Sequence, residues 1–288
     1  MNHTNPLIGA HLSIAGGLDK AIERAESIHC TALQIFTHSN RQWNMRPLTS
    51  QEIESFKVAK KSSSIESTLV HASYLINLAT SNPATRQKSI ETLTQEIERC
   101  NQLDIPYLVV HPGARLQTSL EESLPLVSQA IDVALEAAGG KAMVLVENMA
   151  GQGSVLGRSL EELQIIRKLS AHKSRIGFCI DTCHAFASGF AINTREGCEQ
   201  FFKNFDEILG LEHLKAIHLN DSKSKLGSSV DRHDHIGAGQ IGIETFGWIM
   251  NDKNLWRVPK IIETPKGSGE DLLAEDRKNL ALLRSLIV

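Results

Sequence analysis

The chain has 288 residues and a formal net charge of −3, with 41% hydrophobic and 22% charged residues. That composition is ordinary for a globular protein and excludes a disordered or fibrous chain, and no apolar run approaches the ~20 residues that span a bilayer. The slightly acidic balance argues against coating nucleic acid by bulk charge but leaves room for a local cationic site.

The opening segment, MNHTNPLIGAHLS, lacks a basic stretch followed by an apolar one, and the five cysteines form no C-x-x-C pair. A cytoplasmic protein with reduced thiols is expected. Eight short apolar runs then succeed one another: PLIGAHL (6–12), ALQIFT (32–37), STLVHAS (67–73), YLVVHP (107–112), MVLVEN (143–148), IGFCIDT (176–182), LKAIHLND (214–221) and KIIET (260–264). Most are continuous rather than alternating in apolar character, as parallel strands covered on both faces require.

Segments of helical period lie between them, over 17–28, 85–103, 119–140, 159–170, 194–210 and 270–287. The first puts Leu18, Ile22, Ala25 and Ile28 on one face; the second does the same with Ile90, Leu93, Ile97 and Cys100. The third carries Pro125 in its first turns and closes on Gly139 and Gly140. Alternating strands and helices over this length predict an α/β fold, a (β/α)8 barrel in one domain spanning 1–288. An open doubly wound sheet is the alternative, disfavoured by the absence of a G-x-G-x-x-G turn.

Six of the runs end in a residue able to bind a metal: His71, His111, Glu147, Asp181, His218 and Glu263. His11 stands near the end of the first run, and Thr37 closes the second. Strand ends form the C-terminal rim, where such barrels carry their active sites. Alternation puts Val109 behind His111, Leu145 behind Glu147, Cys179 behind Asp181, Ala216 behind His218 and Ile261 behind Glu263.

A single histidine or glutamate at a strand end is more often a hydrogen-bonding residue than a ligand. Several carboxylates converging on one barrel mouth without a cation would instead cost several kcal/mol. His184 follows Asp181 by three residues, and Asp231, His233 and His235 cluster in a Gly- and Ser-rich loop. Imidazole and carboxylate without thiolate suit zinc or another borderline divalent metal, with neighbouring Cys183 expected as a packed thiol. The candidates exceed the needs of one tetrahedral metal and suit two or three. Metals sharing a carboxylate point to hydrolysis of a phosphate ester.

Five motifs carry a resemblance: HASYLINLA (71–79), HPG (111–113), VENMAGQGS (146–154), IDTCHAFASG (180–189) and HLNDSKSKLGSSVDRHDHIGAGQIG (218–242). Together they resemble the endonuclease IV family of zinc-dependent apurinic/apyrimidinic endonucleases, over essentially the whole chain. The resemblance implies three zinc ions. His71, His111 and Glu147 would hold the first; Glu147, Asp181, His218 and Glu263 the second; His184, Asp231 and His233 the third. Glu147 would be the catalytic residue, bridging two metals and the attacking hydroxide. His11 and His235 stay outside that set, the first as a residue behind the ligands, the second as exposed or phosphate-facing.

The resemblance further implies double-stranded DNA containing abasic sites as partner, with Arg41 and Tyr74 inserted at the lesion. Cleavage would fall 5′ to the abasic nucleotide and leave a 3′-hydroxyl and a 5′-deoxyribose phosphate. A monomer without membrane attachment is expected. The alternative function is a metal-dependent sugar isomerase or epimerase of the xylose-isomerase-like group, which has no use for a third ligand group or for inserted side chains. A non-catalytic DNA-binding protein would not need a buried multi-metal site.

Overall fold

The computed structural model describes residues 6–268 and 271–288. Eight parallel strands close into a barrel: β1 (Ile8–His11), β2 (Ala32–Ile35), β3 (Ser67–His71), β4 (Tyr107–Val110), β5 (Met143–Glu147), β6 (Ile176–Asp181), β7 (Leu214–His218) and β10 (Lys260–Ile262). The barrel closes where β1 pairs with β10, which in turn pairs with β7. Between β7 and β10 the chain makes a small antiparallel hairpin, β8 (Asp221–Ser222) and β9 (His233–Asp234). The expected loop around His233 is therefore partly a strand.

Helices α1 (Leu18–Ser27), α3 (Pro83–Gln102), α4 (Leu120–Ala138), α5 (Leu160–Leu169), α7 (Arg195–Leu209) and α9 (Ala274–Ser285) match the six periodic segments. The last was expected from Glu270, which lies outside the described residues. Three more were not evident as periodicity: α2 (Ser50–Ser62), α6 (Thr182–Ser188) and α8 (Ile243–Asn251). Among its residues α2 buries only Phe56, so its apolar stripe is faint. A capping box between Thr49 and Glu52 supplies the start signal that the stripe does not.

The strands are apolar on both faces because two separate cores need them. One face meets the helices through residues such as Leu33, Val70, Val110, Val146, Ile180 and Ile262. The other fills the barrel with Leu7, Ala32, Leu69, Val109, Leu145, Cys179, Ala216 and Ile261, all buried. The five residues expected behind the rim all belong to this inner layer. Gly9 marks the tightest approach: a Cβ there would stand 1.6 Å from the Ala32 carbonyl oxygen. Two residues beyond the inner layer, every strand from β2 to β10 of the barrel presents a polar side chain to the mouth.

Candidate metal centre

Those side chains are Gln34, His71, His111, Glu147, Asp181, His218 and Glu263, with His11 completing the ring on β1. His111 and Glu263 sit one residue past the ends of β4 and β10 rather than within them. Glu147 is the hub. It is fully buried, and its Oε2 lies 3.3 Å from His71 Nε2 and 3.1 Å from His111 Nε2. Its Oε1 lies 2.9 Å from His218 Nδ1 and 3.4 Å from His184 Nδ1.

Three clusters of donor atoms follow, each with its atoms within 4.8 Å of one another. The first is His71, His111 and Glu147; the second Glu147, Asp181, His218 and Glu263; the third His184, Asp231 and His233. The structure thus brings together all nine residues singled out as ligands, in the expected grouping. A further cluster joins Asp181, Cys183 and His233. Burial pushes the Cys183 thiol up to about 12, which keeps it protonated in the metal-free protein.

The hydrogen bonds around the imidazoles decide which nitrogens face inward. His71 donates Nδ1–H to the Ala72 carbonyl at 2.8 Å, and His184 donates Nδ1–H to the Asn148 carbonyl at 2.9 Å. His233 Nδ1 faces the Glu263 carbonyl at 3.2 Å. Each of these backbone oxygens can only accept, so the other nitrogen of each ring is left for the centre. His184 Nε2 and His233 Nε2 are indeed buried without a hydrogen bond, 3.2 and 3.3 Å from the two oxygens of Asp231. Imidazole nitrogens converging on carboxylate oxygens outside hydrogen-bond geometry fit a cation between them, and the anchored second nitrogens fit the usual support of metal-binding histidines.

The same logic runs through Gln34, which the sequence reading passed over. A carboxylate can only accept, so the Gln34 amide must turn its Nε2 to Glu263 Oε1, at 2.7 Å. Its Oε1 then faces His218 Nε2 at 2.9 Å, which must donate. His218 Nδ1 is thereby aimed at Glu147 and, at 3.3 Å, at Glu263 Oε2. Asn148 and Asn220 were also missed. Asn148 Oδ1 accepts from the Asp181 amide, and Asn220 ties the Asp181 carboxylate, at 2.6 Å, to the Glu263 amide, at 2.7 Å. Their signal was position: each follows a strand-end ligand by one or two residues.

The electrostatics are those of a charge cluster. Burial works to raise the Glu147 carboxyl, but the His218 and His111 rings outweigh it and hold it well below the usual carboxylate range. Glu263 is likewise held low by His218 and His11 against burial. Burial works against the His218 and His184 cations. Cys179, Glu263 and Glu147 around the first, and Asp181, Asp231 and Glu147 around the second, raise both well above the ordinary histidine value.

His11 lies behind the ligands, its Nδ1 3.0 Å from Gln34 Nε2 and its ring 4.4 Å from that of Phe36. His235 belongs to none of the clusters; its Nδ1 accepts from Asn279 at 3.0 Å. Arg41 is exposed on the loop after β2. Tyr74 is 56% exposed after β3, yet its ring also rests 5.3 Å from that of His71 and 5.7 Å from that of His111.

A closed (β/α)8 barrel with a histidine–carboxylate centre at its C-terminal mouth is one class, and the model of the xylose isomerase-like TIM barrel matches residues 22–286. Solved structures narrow it. Endonuclease IV from Thermus thermophilus is 35% identical with a TM-score of 0.86, covering 98% of each chain. A D-tagatose 3-epimerase-like protein shares the fold at 21% identity and a TM-score of 0.70, over 97% of this chain and 96% of its own. Among relatives, probable endonuclease 4 of Chloroflexus aurantiacus is 47% identical over 98% of both chains, and that of Trichlorobacter lovleyi 46% identical over 97% of this chain and 99% of its own. The chain belongs to the endonuclease IV family.

Proposed function

We propose that the protein is a zinc-dependent apurinic/apyrimidinic endonuclease that hydrolyses the phosphodiester 5′ to an abasic nucleotide, leaving a 3′-hydroxyl and a 5′-deoxyribose phosphate. The observation that carries this reading is the division of Glu147: one oxygen faces His71 and His111, the other His218. A single carboxylate shared between two donor sets suits paired metals. The separate His184, Asp231 and His233 set supplies a third position that an isomerase of the same fold has no use for.

Zinc held by these residues supplies Lewis acidity to a phosphoryl group and activates water. The protein's part is to fix the donors. Glu147, Glu263 and Asp231 are all held ionised by their histidine neighbours, so none is poised as a proton donor to the leaving group. Three divalent cations turn a formal −3 into +3, concentrated at the mouth, where it attracts a polyanion. An abasic nucleotide lacks stacking and pairing, so extruding it costs less than the few kcal/mol of an intact one. Arg41 and Tyr74 stand on neighbouring loops of that mouth and fill the gap.

The test is incision of a duplex bearing one abasic analogue, with zinc counted by elemental analysis. The expected result is a nick on the 5′ side with an end that a polymerase extends, and three zinc ions per chain. A 3′-side nick, or full activity with a single metal, would overturn the reading.

A further inference from the structure

Helix α3 packs on the outside of the barrel, yet it buries two charged side chains, Glu96 and Arg99. Glu96 Oε1 accepts from His38 Nε2 at 2.9 Å and from the Ser73 amide at 3.0 Å. Its other oxygen is buried without a partner, as is His38 Nδ1. A half-satisfied buried carboxylate destabilises relative to an apolar side chain of the same shape. Stability alone does not account for it.

Its partners do. His38 and Ser73 belong to the two loops that carry Arg41 and Tyr74. Ser73 immediately precedes Tyr74, and its Oγ donates to the carbonyl of Asn40, which immediately precedes Arg41, at 3.0 Å. One turn further along α3, Arg99 donates to the carbonyl of Thr37 at 2.5 Å and to that of Arg46, on either side of the Arg41 loop. The residues next to both inserted side chains are therefore bonded to each other and to one helix.

We infer that Glu96 is a positioning residue for DNA recognition: through His38 and Ser73 it locks the Arg41 and Tyr74 loops into one unit before the duplex arrives. Order established in the free protein is not lost again on binding, so the lock shows up as affinity. The inference rests on the reading of Arg41 and Tyr74 as side chains inserted at an abasic site. The hydrogen bonds and ion pair of Glu96 go to His38 and the Ser73 amide rather than to the metal-centre residues named above.

The experiment uses the zinc-loaded full chain. Binding to an abasic-analogue duplex is measured for Glu96→Gln alone and in an Arg41→Ala/Tyr74→Ala background, beside zinc content and hydrolysis of bis(4-nitrophenyl) phosphate. Glu96→Gln keeps an acceptor for both partners but turns two charge-assisted hydrogen bonds into neutral ones of about half the strength. It should therefore weaken duplex binding about tenfold in the native background and less than about twofold in the double variant. Zinc content and hydrolysis of the small diester should not change. Ser73→Ala removes the tie to Asn40 and an acceptor for the Leu75 amide while leaving the Ser73 amide on Glu96; it should follow the same pattern with a smaller loss, and it decides the matter should Glu96→Gln not fold. Equal losses in both backgrounds, no loss in the native one, or a matching loss on the small diester would overturn the inference. If Arg41→Ala/Tyr74→Ala alone left abasic binding unchanged, the reading of those two residues would fail and the inference with it. A full effect of that pair with an additive Glu96→Gln would sink the inference only.

Discussion

Glu147 has four imidazoles around one buried carboxylate, and that crowding sets the effect of changing it. Glu147→Gln keeps the shape but replaces one oxygen with an amide donor, so one histidine set loses its anion. Supporting partners of metal ligands are worth about 10–100-fold, and a shared ligand should exceed that, so a loss of turnover of about 100-fold or more is expected. His235→Ala removes only an acceptor for Asn279 and should cost less than about threefold. Turnover on an abasic duplex, measured for both variants, decides it; similar losses would move His235 among the ligands. The nine donors that meet at the mouth were legible because each is a polar residue ending an apolar run or repeating at short spacing. Gln34 was equally patterned, two residues after Ala32 on the inward face of β2, but it ends no run. An amide is also not a metal ligand by habit, so a search for ligands passes over the group that orients them.

At the scale of elements, the third donor set depends on a hairpin of two-residue strands. Asp221, fully buried in β8, accepts from the amides of Ser222 and Ile241 with Oδ1 and of Gly237 and Gly239 with Oδ2. That carboxylate folds the Gly-rich turn back and holds β9, which carries His233. Asp221→Ala leaves four buried or half-buried amides without their acceptor and should free the hairpin. If the proposed three zinc ions are bound, zinc content should fall from three per chain towards two, with the first two donor sets retained; retention of all three would show that β9 stands without Asp221. The barrel strands and six helices were legible because burial on both faces and amphipathic periodicity leave strong patterns. The hairpin was not, because two-residue strands have no period. Helix α2 was missed because a faint stripe over Phe56 carries less signal than its capping box.

For the whole molecule, the centre links stability to pH with a sign that depends on the metal. In the metal-free protein His218, His184 and His71 have raised pKa values, so their contribution is full below the ordinary 6.5 and is lost as pH rises through the folded values. Glu147 and Glu263 are depressed; theirs is full above the ordinary 4.5 and is lost as pH falls through the folded values. On these groups alone metal-free protein should melt highest between about pH 4.5 and 6.5 and lose stability at higher pH. That loss is opposed by Lys260, whose buried ammonium is held down at about 7 and adds stability as pH rises past that value. With zinc the slope reverses over pH 6–8, because metal must displace the imidazole protons and binds better as they leave. Thermal melting with and without chelator reads both slopes; parallel slopes would mean that the histidines do not bind the metal. The spacing of the ligands has a consequence of another kind. Glu147 stands 76 residues from His71 and 71 from His218, so the metals proposed to share it would tie distant parts of the chain into closed loops. A permanent link closing a loop of that size removes about 4.5 kcal/mol of unfolded-chain entropy. In a chain whose five cysteines are all free, a metal-loaded centre would take the part that disulfides play elsewhere, as a set of cross-links that a chelator can open.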